Sequence, residues 1–511
     1  MLFNPLSGIV VSFATFASAK PLTVNTTNGP ITGHPAANKP NVVEYLGIPY
    51  AKPPMGNLRF AAPQKLVGTS AYNASTYGYD CPLTGSKPVA YPRFTPQAQR
   101  IVDVFGTSTG KPQSEDCLTL NIWAKSTHKL RPVIVFIYGG RFTVGNINNP
   151  FYNGEHFSDA EDIVVVTVNH RLNVFGFPGA PGERQNLGLR DQRAAVEWVR
   201  DNIAGFGGDP SKITLVGQSS GGVSVDYWAY SYPKDPIVHG IIAHSGNTFS
   251  FPSNTKAIQE ASWNTVVTAV NCSNATDTMN CMRKADWRAI EAAAAAIRPA
   301  RSSTVLRAIP PFWPTPDNDI VFPDYISLTT NGSFAKVPIV FGSTHNEDGY
   351  YRVPSFANGI VPTDEQVTHF LLSAFTCPVS YQAEARKKHG VPTWTFRYFA
   401  DWDNTRLFPT SGAYHGVDLH MIFGASEDTS GLPTTPEQRK LTNLMQKAWF
   451  AFASNPTDGL TKLGWPRYDA KEKTLILLGF NNTSPAQFAY PSDYDAPCPT
   501  ITMGAIAAAP S

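Results

Sequence analysis

The chain repeatedly passes through short apolar stretches of the kind that form strands, and several of them are continuous rather than alternating. They lie at residues 133–137, 163–168, 213–216, 241–243, 338–341, 394–399 and 475–478. Strands buried on both faces show such continuous runs, whereas half-exposed strands alternate apolar with polar residues. The pattern therefore predicts buried strands in the middle of a sheet.

Helical patterns lie between these runs. Leu189, Val196, Val199 and Ile203 fall on one helical face, and the sequence GGDP at 207–210 ends that helix. An alanine-rich segment at 289–297 predicts another helix. Alternating strands and helices favour an α/β fold with a mostly parallel sheet. Without internal repeats or a linker, residues 20–511 are expected to form a single domain with long insertions.

The first 19 residues, MLFNPLSGIVVSFATFASA, have an apolar centre and small residues near Ala19. They predict a secretory signal peptide cleaved after Ala19, although its start lacks Lys and Arg. No segment reaches the roughly 18 apolar residues of a membrane span. We expect a secreted protein, or one in the secretory-pathway lumen, with no stable membrane anchor.

Composition excludes some classes of function. The 511 residues carry a net charge of +2, and no basic run is interleaved with aromatic residues, so no nucleic-acid partner is expected. The histidines show no metal-ligand spacing, and neither a metal nor another cofactor is predicted. Oligomeric state is not indicated.

Cysteines and glycosylation motifs agree with an oxidising compartment. The six cysteines are Cys81, Cys117, Cys272, Cys281, Cys377 and Cys498, and spacing alone leaves fifteen pairings open. Candidate N-glycosylation sites are Asn25, Asn73, Asn271, Asn274, Asn331, Asn481 and Asn482.

A serine stands between glycines where a predicted strand meets a predicted helix. The sequence GQSSG at 217–221 fits G-x-S-x-G, a turn that raises the Ser219 hydroxyl above the end of a sheet. A serine hydroxyl becomes a nucleophile only beside a base, and that base needs an orienting acid. Taken alone, the motif is also compatible with an ordinary tight turn.

Partners for this serine are found on both sides of it. Upstream, YGGR at 138–141 follows a strand and can supply backbone N–H donors for an oxyanion. Downstream, Glu347 and Asp348 follow another strand, and His415 lies in a loop of small residues. His170, His244 and His420 remain alternatives on sequence alone.

Several sequence blocks together resemble the type-B carboxylesterase/lipase family, which includes cholinesterases and fungal lipases. These are GIPYAKPP at 47–54, SEDCLTLNI at 114–122, NLGL at 186–189 and FGGDP at 206–210. The resemblance extends from about Gly47 to the C-terminal cysteine. It implies an α/β-hydrolase fold and a serine esterase acting on small-molecule esters.

The resemblance implies Ser219 as nucleophile, His415 as general base and then acid, and Glu347 as the orienting acid. In the family a glycine usually follows the glutamate directly, whereas here Asp348 intervenes before Gly349. Asp348 is therefore kept as an alternative acid.

Further assignments are also implied by the resemblance. The oxyanion hole comprises the backbone N–H groups of Gly140, Arg141 and Ser220. Arg59 and Glu115 form a salt bridge. The disulfides are Cys81–Cys117 and Cys272–Cys281, leaving Cys377–Cys498.

Three departures from the family bear on the substrate. Arg141 replaces a small residue, and we expect its side chain to point outward or to pair with an acid; a carboxylate-bearing substrate is the alternative. Gln218 replaces the glutamate of cholinesterases. The Cys81–Cys117 loop lacks their tryptophan, and its Tyr91, Phe94 and Phe105 are expected to be packing or loop residues. We therefore expect poor turnover of acetylcholine.

The segment AQRIVDVFG at 98–106, within the same loop, is weakly amphipathic. It is either a lid helix, as in fungal lipases, or a surface helix packed on the sheet. For the whole chain we expect ester hydrolysis through an acyl-enzyme. The alternatives are acyl transfer or lactonisation in secondary metabolism, and a non-catalytic binding role.

Overall fold

The computed structural model describes residues 22–85, 89–106, 110–125, 129–251, 254–298 and 305–503. The predicted signal peptide at 1–19 lies outside these ranges. Among the described helices, none combines the length and the apolar character needed to cross a membrane.

Fourteen strands lie in the described part of the chain. They are β1 (Thr23–Thr26), β2 (Gly29–Thr32), β3 (His34–Pro35), β4 (Val42–Pro49), β5 (Tyr72–Asn73), β6 (Thr119–Lys125), β7 (Arg131–Ile137), β8 (Val164–Val168), β9 (Gly208–Gln218), β10 (Gly240–His244), β11 (Ile339–Thr344), β12 (Thr393–Tyr398), β13 (Leu475–Leu478) and β14 (Gln487–Ala489).

Seventeen α-helices lie in the same described ranges. They are α1 (Ala98–Phe105), α2 (Glu155–Ala160), α3 (Asn173–Gly176), α4 (Leu187–Asn202), α5 (Ser220–Ser231), α6 (Lys256–Ala269), α7 (Thr278–Lys284), α8 (Trp287–Ala295), α9 (Tyr325–Thr330), α10 (Asp348–Ala357), α11 (Asp364–Leu371), α12 (Cys377–Lys388), α13 (Leu419–Phe423), α14 (Ser426–Ser430), α15 (Pro436–Ser454), α16 (Gly459–Lys462) and α17 (Ser492–Asp495).

Eleven of the strands form one sheet, in the order β14-β13-β12-β11-β10-β9-β7-β8-β6-β4-β3. Strands β7 to β13 run parallel, and they contain all seven predicted apolar runs, so the mostly parallel α/β sheet is confirmed. Antiparallel strands extend both edges. Strands β1, β2 and β5 form a separate small sheet.

Each face of the large sheet carries its own core. In β7, Val133 and Val135 pack in one core together with Val196 of α4. Ile134 and Phe136 pack in the other, together with residues of α15. Because both faces are covered, β7 is apolar at nearly every position. The predicted helices at 189–203 and 289–297 correspond to α4 and α8.

The strand order reverses at β7. Strand β8 pairs with one of its edges, and β9 pairs with the other. The loops that leave the carboxyl ends of β7 and β9 therefore diverge and open a crevice between them. In α/β sheets, ligands bind at such a switch point.

The expected covalent and ionic links are present. Disulfides join Cys81 to Cys117, Cys272 to Cys281 and Cys377 to Cys498. Arg59 makes two 2.6 Å hydrogen bonds to Glu115, and both side chains are buried. The same guanidinium donates to the carbonyls of Met282 and Ala285, which ties the Cys81–Cys117 loop to α7.

All seven candidate glycosylation asparagines are exposed, namely Asn25, Asn73, Asn271, Asn274, Asn331, Asn481 and Asn482. Asn482 differs from the others because its side-chain amide is paired with the backbone N–H and C=O of Asp401.

Candidate active site

Ser219 occupies a strained turn between β9 and α5. Its backbone has φ 58° and ψ −123°, a region that non-glycine residues rarely adopt. The turn is held by the Ser219 N–H, which donates to the His244 carbonyl at 2.8 Å. A Cβ on Gly221 would lie only 2.1 Å from the Ile137 carbonyl oxygen, so only glycine lets α5 begin this close to β7. The Ser219 side chain consequently sits at the switch point.

His415 and Glu347 form a buried pair. His415 Nδ1 hydrogen bonds with Glu347 Oε2, and the other carboxylate oxygen accepts the Thr344 N–H at 2.8 Å. Glu347 is 1% exposed and His415 is 2% exposed. Glu347 follows β11, whereas His415 lies in the connection that follows β12. With Nδ1 directed at the carboxylate, Nε2 is left as the basic nitrogen.

Asp348 does not take part in this pair. Its carboxylate accepts a 2.6 Å hydrogen bond from Arg352 one helical turn later. Burial raises the pKa of Asp348, and the Arg352 guanidinium opposes that shift. Of the two adjacent acids, the structure brings Glu347 to the histidine.

His415 Nε2 is contacted by two donors. The Tyr351 hydroxyl lies 3.2 Å from it, and the Gln218 side-chain amide lies 3.1 Å from it. Burial raises the pKa of Tyr351 to about 12, and the neighbouring Ser219 side chain is among the groups that oppose this shift. Within the described residues, no hydrogen bond joins Ser219 directly to His415, and the tyrosine hydroxyl lies close to both side chains.

The predicted oxyanion loop has an unusual backbone. Gly140 has φ 122°, and Arg141 and Phe142 follow with φ 60° and 55°. A Cβ on Gly140 would meet the Val144 carbonyl oxygen at 2.1 Å. In the described part of the chain, the N–H groups of Gly140, Arg141 and Ser220 donate to no acceptor. Three free donors therefore border the serine turn.

Aromatic rings surround the His415 imidazole. The ring centres of Tyr351, Phe375, Phe105 and Tyr350 lie 4.9, 5.6, 6.4 and 6.4 Å from it. Phe105 is the last residue of α1, the helix predicted at 98–106. It therefore borders the site, and it also packs against the core on that face of the sheet, as expected.

Tyr91 and Phe94 have the packing role predicted for them. Their rings stand 5.7 Å apart, and Tyr91 also contacts Phe408. Helix α1 itself buries Ala98 and Ile101. Sequence reasoning missed Tyr351 and Phe375. Only the helical spacing of Tyr351, one turn after Glu347, offered a signal for the tyrosine.

The expectation that Arg141 points outward or pairs with an acid is wrong. The side chain is half-buried, and its guanidinium donates to the Ala308 carbonyl at 2.6 Å. The described ion pairs of the chain do not include it. Burial lowers the pKa of Arg141, and the positively charged Arg307 lies nearby. No sequence signal pointed to Arg307.

The alternative histidines are occupied elsewhere. His244 Nδ1 hydrogen bonds with Asp418 at 2.7 Å, and its Nε2 accepts the Trp449 indole N–H at 3.1 Å. His170 stacks on Tyr138, and burial lowers its pKa to about 4. Burial lowers the pKa of His420 to about 3. None of the three contacts Ser219 through its side chain in the described structure.

One group of side chains has the composition of a metal site. The ligand atoms of Glu155, His156 and Asp428 lie within 4.8 Å of one another. Glu155 already accepts hydrogen bonds from the side chains of Asn38 and Asn153, however, and His156 hydrogen bonds with Asp428. The side-chain atoms that would bind an ion are therefore already engaged in hydrogen bonds.

Comparison with known proteins finds a family and several relatives. The model of the carboxylesterase family matches residues 20–370 and 364–496. A chlorogenic acid esterase of Aspergillus niger is 31% identical, over 92% of this chain and 88% of that protein. Secreted lipase 5 of Gibberella zeae is 32% identical, over 90% of this chain and 91% of that protein. A para-nitrobenzyl esterase of Bacillus subtilis is 27% identical, over 89% of this chain and 94% of that protein.

Proposed function

Because the chain belongs to the carboxylesterase family, we propose that it hydrolyses carboxylic esters through an acyl-enzyme formed on Ser219. The family membership confirms the α/β-hydrolase fold and the hydrolase class that the sequence blocks indicate. The catalytic assignment rests on one observation: three structural features lie together at the switch point of the sheet. These are the strained Ser219 turn, the buried His415–Glu347 pair and three free backbone N–H groups.

In this mechanism Ser219 Oγ attacks the ester carbonyl while His415 Nε2 accepts the serine proton. Glu347 holds the imidazole orientation and stabilises the imidazolium form. The N–H groups of Gly140, Arg141 and Ser220 bind the oxyanion of the tetrahedral intermediate. Each such donor contributes about 2.7–4 kcal/mol to transition-state stabilisation in comparable enzymes.

The second half of the reaction uses the same groups. His415 donates its proton to the departing alcohol, and water then enters. The histidine removes a proton from this water, which attacks the acyl carbonyl and releases the acid and the free serine. Every proton moves through Nε2, so the Tyr351 hydroxyl, which contacts this nitrogen, either gives way to Ser219 or water or relays the proton.

We further propose that the protein is secreted and N-glycosylated. Three disulfides, the predicted signal peptide and the exposed glycosylation motifs support this location. A relative whose name includes secretion supports it as well.

The test is hydrolysis of p-nitrophenyl esters from acetyl to palmitoyl by the purified protein. Ser219→Ala is expected to lose at least about 10³-fold in kcat, whereas Ser231→Ala in α5 serves as the matched control. Circular dichroism verifies that both variants are folded. Equal activity of wild type and Ser219→Ala would contradict the mechanism.

The same assay separates hydrolysis from the acyl-transfer alternative. An added alcohol competes with water for the acyl-enzyme, so the ratio of new ester to free acid measures the partition. We expect the free acid to predominate. Exclusive formation of the new ester would favour the acyl-transfer role instead.

A further inference from the structure

Two arginines beside the candidate active site lack an acidic partner. Arg307 is 6% exposed, and its guanidinium stacks on Phe251 and lies 5.2 Å from the Trp313 ring centre. Neither of its terminal nitrogens has a hydrogen-bond acceptor among the described residues. Arg141 is anchored to the Ala308 carbonyl, and its buried Nε has no acceptor there either.

All Asp and Glu side chains of the protein lie within the described ranges, because the segments outside them contain neither residue. None of the ion pairs found among the described residues includes Arg141 or Arg307. Four other buried arginines have acidic partners: Arg59 with Glu115, Arg131 with Asp162, Arg171 with Asp191 and Arg386 with Asp226. Arg397, which is 9% exposed, makes no ion pair but hydrogen bonds with the Thr376 hydroxyl. Burying a guanidinium without a counter-charge is costly, so the arginine pair calls for an explanation.

The two arginines converge on the candidate catalytic groups. Arg307 packs on Phe251, whose ring centre lies 5.8 Å from that of Phe375, and the Phe375 ring centre lies 5.6 Å from the His415 imidazole. Burial raises the pKa of Tyr351, and the positive charges of Arg307 and Arg141 both oppose that shift. Arg141 also contributes its backbone N–H to the proposed oxyanion hole. Burial lowers the pKa of Arg307 to about 9, so its guanidinium is still charged at neutral pH. The missing counter-charge is therefore expected beside a bound ester.

We propose that the natural substrate is an ester that carries a carboxylate group, bound by Arg307 with the help of Arg141. This inference rests on the proposed hydrolysis at Ser219. A guanidinium with two free terminal nitrogens matches the two oxygens of a carboxylate. The carboxylate stands on either the acyl or the alcohol side of the ester, and the test distinguishes these two positions.

Two pairs of esters, each differing mainly in charge, test the proposal. On the acyl side, p-nitrophenyl hydrogen adipate is compared with p-nitrophenyl hexanoate. On the alcohol side, 4-acetoxybenzoate is compared with its methyl ester. For at least one pair, kcat/KM of the wild type is expected to be higher for the carboxylate ester than for its neutral partner.

In Arg307→Gln, the ratio of kcat/KM between the charged and the neutral ester is expected to fall about 10- to 100-fold. Arg307→Lys keeps the charge and should restore part of the ratio. Arg193→Gln is the matched control, because Arg193 also packs on an aromatic ring, that of Tyr232, but is paired with Glu197 and Asp235. A ratio that Arg307→Gln leaves unchanged, or an equal loss for both members of each pair, would overturn the proposal.

Binding separates this proposal from the catalytic one. In Ser219→Ala, calorimetry measures the affinity for the same four esters without turnover. Tighter binding of a charged ester, lost in Ser219→Ala/Arg307→Gln, supports the carboxylate site even if the wild type hydrolyses none of them. Equal affinity for charged and neutral esters rejects the carboxylate site while leaving hydrolysis at Ser219 intact.

Discussion

The Tyr351 hydroxyl lies 3.2 Å from His415 Nε2, the nitrogen that has to accept the serine proton. Ser219 lies near the same hydroxyl, because its side chain opposes the burial that raises the pKa of Tyr351. The hydroxyl therefore borders the position in which the nucleophile and the base of the proposed mechanism would meet. Catalysis requires that the hydroxyl be displaced or that it relay the proton.

We expect displacement, and Tyr351→Phe tests it. The variant keeps the ring but removes a competing hydrogen bond worth about 0.5–1.5 kcal/mol, so kcat/KM should rise roughly two- to tenfold. Tyr350→Phe removes a hydroxyl of the same helix that forms no hydrogen bond with His415 in the described structure, and it therefore measures the background effect. A loss of activity confined to Tyr351→Phe would indicate a proton relay instead.

Glu347→Gln and Asp348→Asn form a matched pair of substitutions. The first leaves the shape of the site intact but removes the charge that stabilises the imidazolium, so kcat should fall about 10³- to 10⁴-fold. Asp348 instead binds Arg352, and its substitution should change kcat by less than about tenfold. Steady-state kinetics of the two folded variants decide the matter. The reverse order of effects would assign the orienting role to Asp348.

The Gln218 amide contacts His415 Nε2 at 3.1 Å. Gln218→Glu would place a second carboxylate beside the imidazole and favour its protonated form. The acid limb of the pH–activity profile is therefore expected to move to higher pH, so that the activity reaches its plateau at a higher pH than in the wild type. Gln218→Met, which adds no charge, is the control. An acid limb that stays at the wild-type position would show that the amide does not face the base during turnover.

Acid stability should depend on His170. Its pKa is lowered to about 4 by burial, so between its ordinary value of 6.5 and about 4 only the unfolded chain binds this proton. The stability contribution is present above pH 6.5 and is lost as the pH falls through this window, on the order of 3 kcal/mol in total.

Urea unfolding at several pH values, with the disulfides intact, measures this contribution. Between pH 6.5 and 4, the free energy of unfolding of the wild type should fall more steeply than that of His170→Gln. Asp80 acts in the opposite direction, because burial raises its pKa to about 6. Since both proteins retain Asp80, the comparison isolates the histidine. Parallel curves would contradict the prediction.

The sequence predicted those strands whose positions follow from a local pattern of apolar residues. Strands β7 to β13 contain the predicted runs, most of which are continuously apolar. The strands without a predicted run are β1 to β6 and β14. Five of them have only two to four residues, whereas β4 and β6 are longer and buried but mix polar with apolar residues, as Glu44 and Asn121 show.

In the candidate site, too, some residues could be predicted from the sequence and others could not. Ser219, Glu347 and His415 lie in recognisable motifs. Arg307 comes from a loop with no motif, and its position beside Arg141 depends on the folding of distant segments. Its missing ion-pair partner becomes evident only when every acid has been located in three dimensions. The expected orientation of Arg141 was wrong for the same reason.

His244 connects the turn that contains Ser219 with the loop that contains His415. Its carbonyl holds the Ser219 N–H, and its ring holds Asp418, three residues beyond His415 in the chain. The Trp449 indole fixes which ring nitrogen carries the proton. A graft of Ser219 and His415 onto another α/β scaffold would therefore also need His244, Asp418 and Trp449, since these three side chains hold the two candidate catalytic loops at a fixed separation.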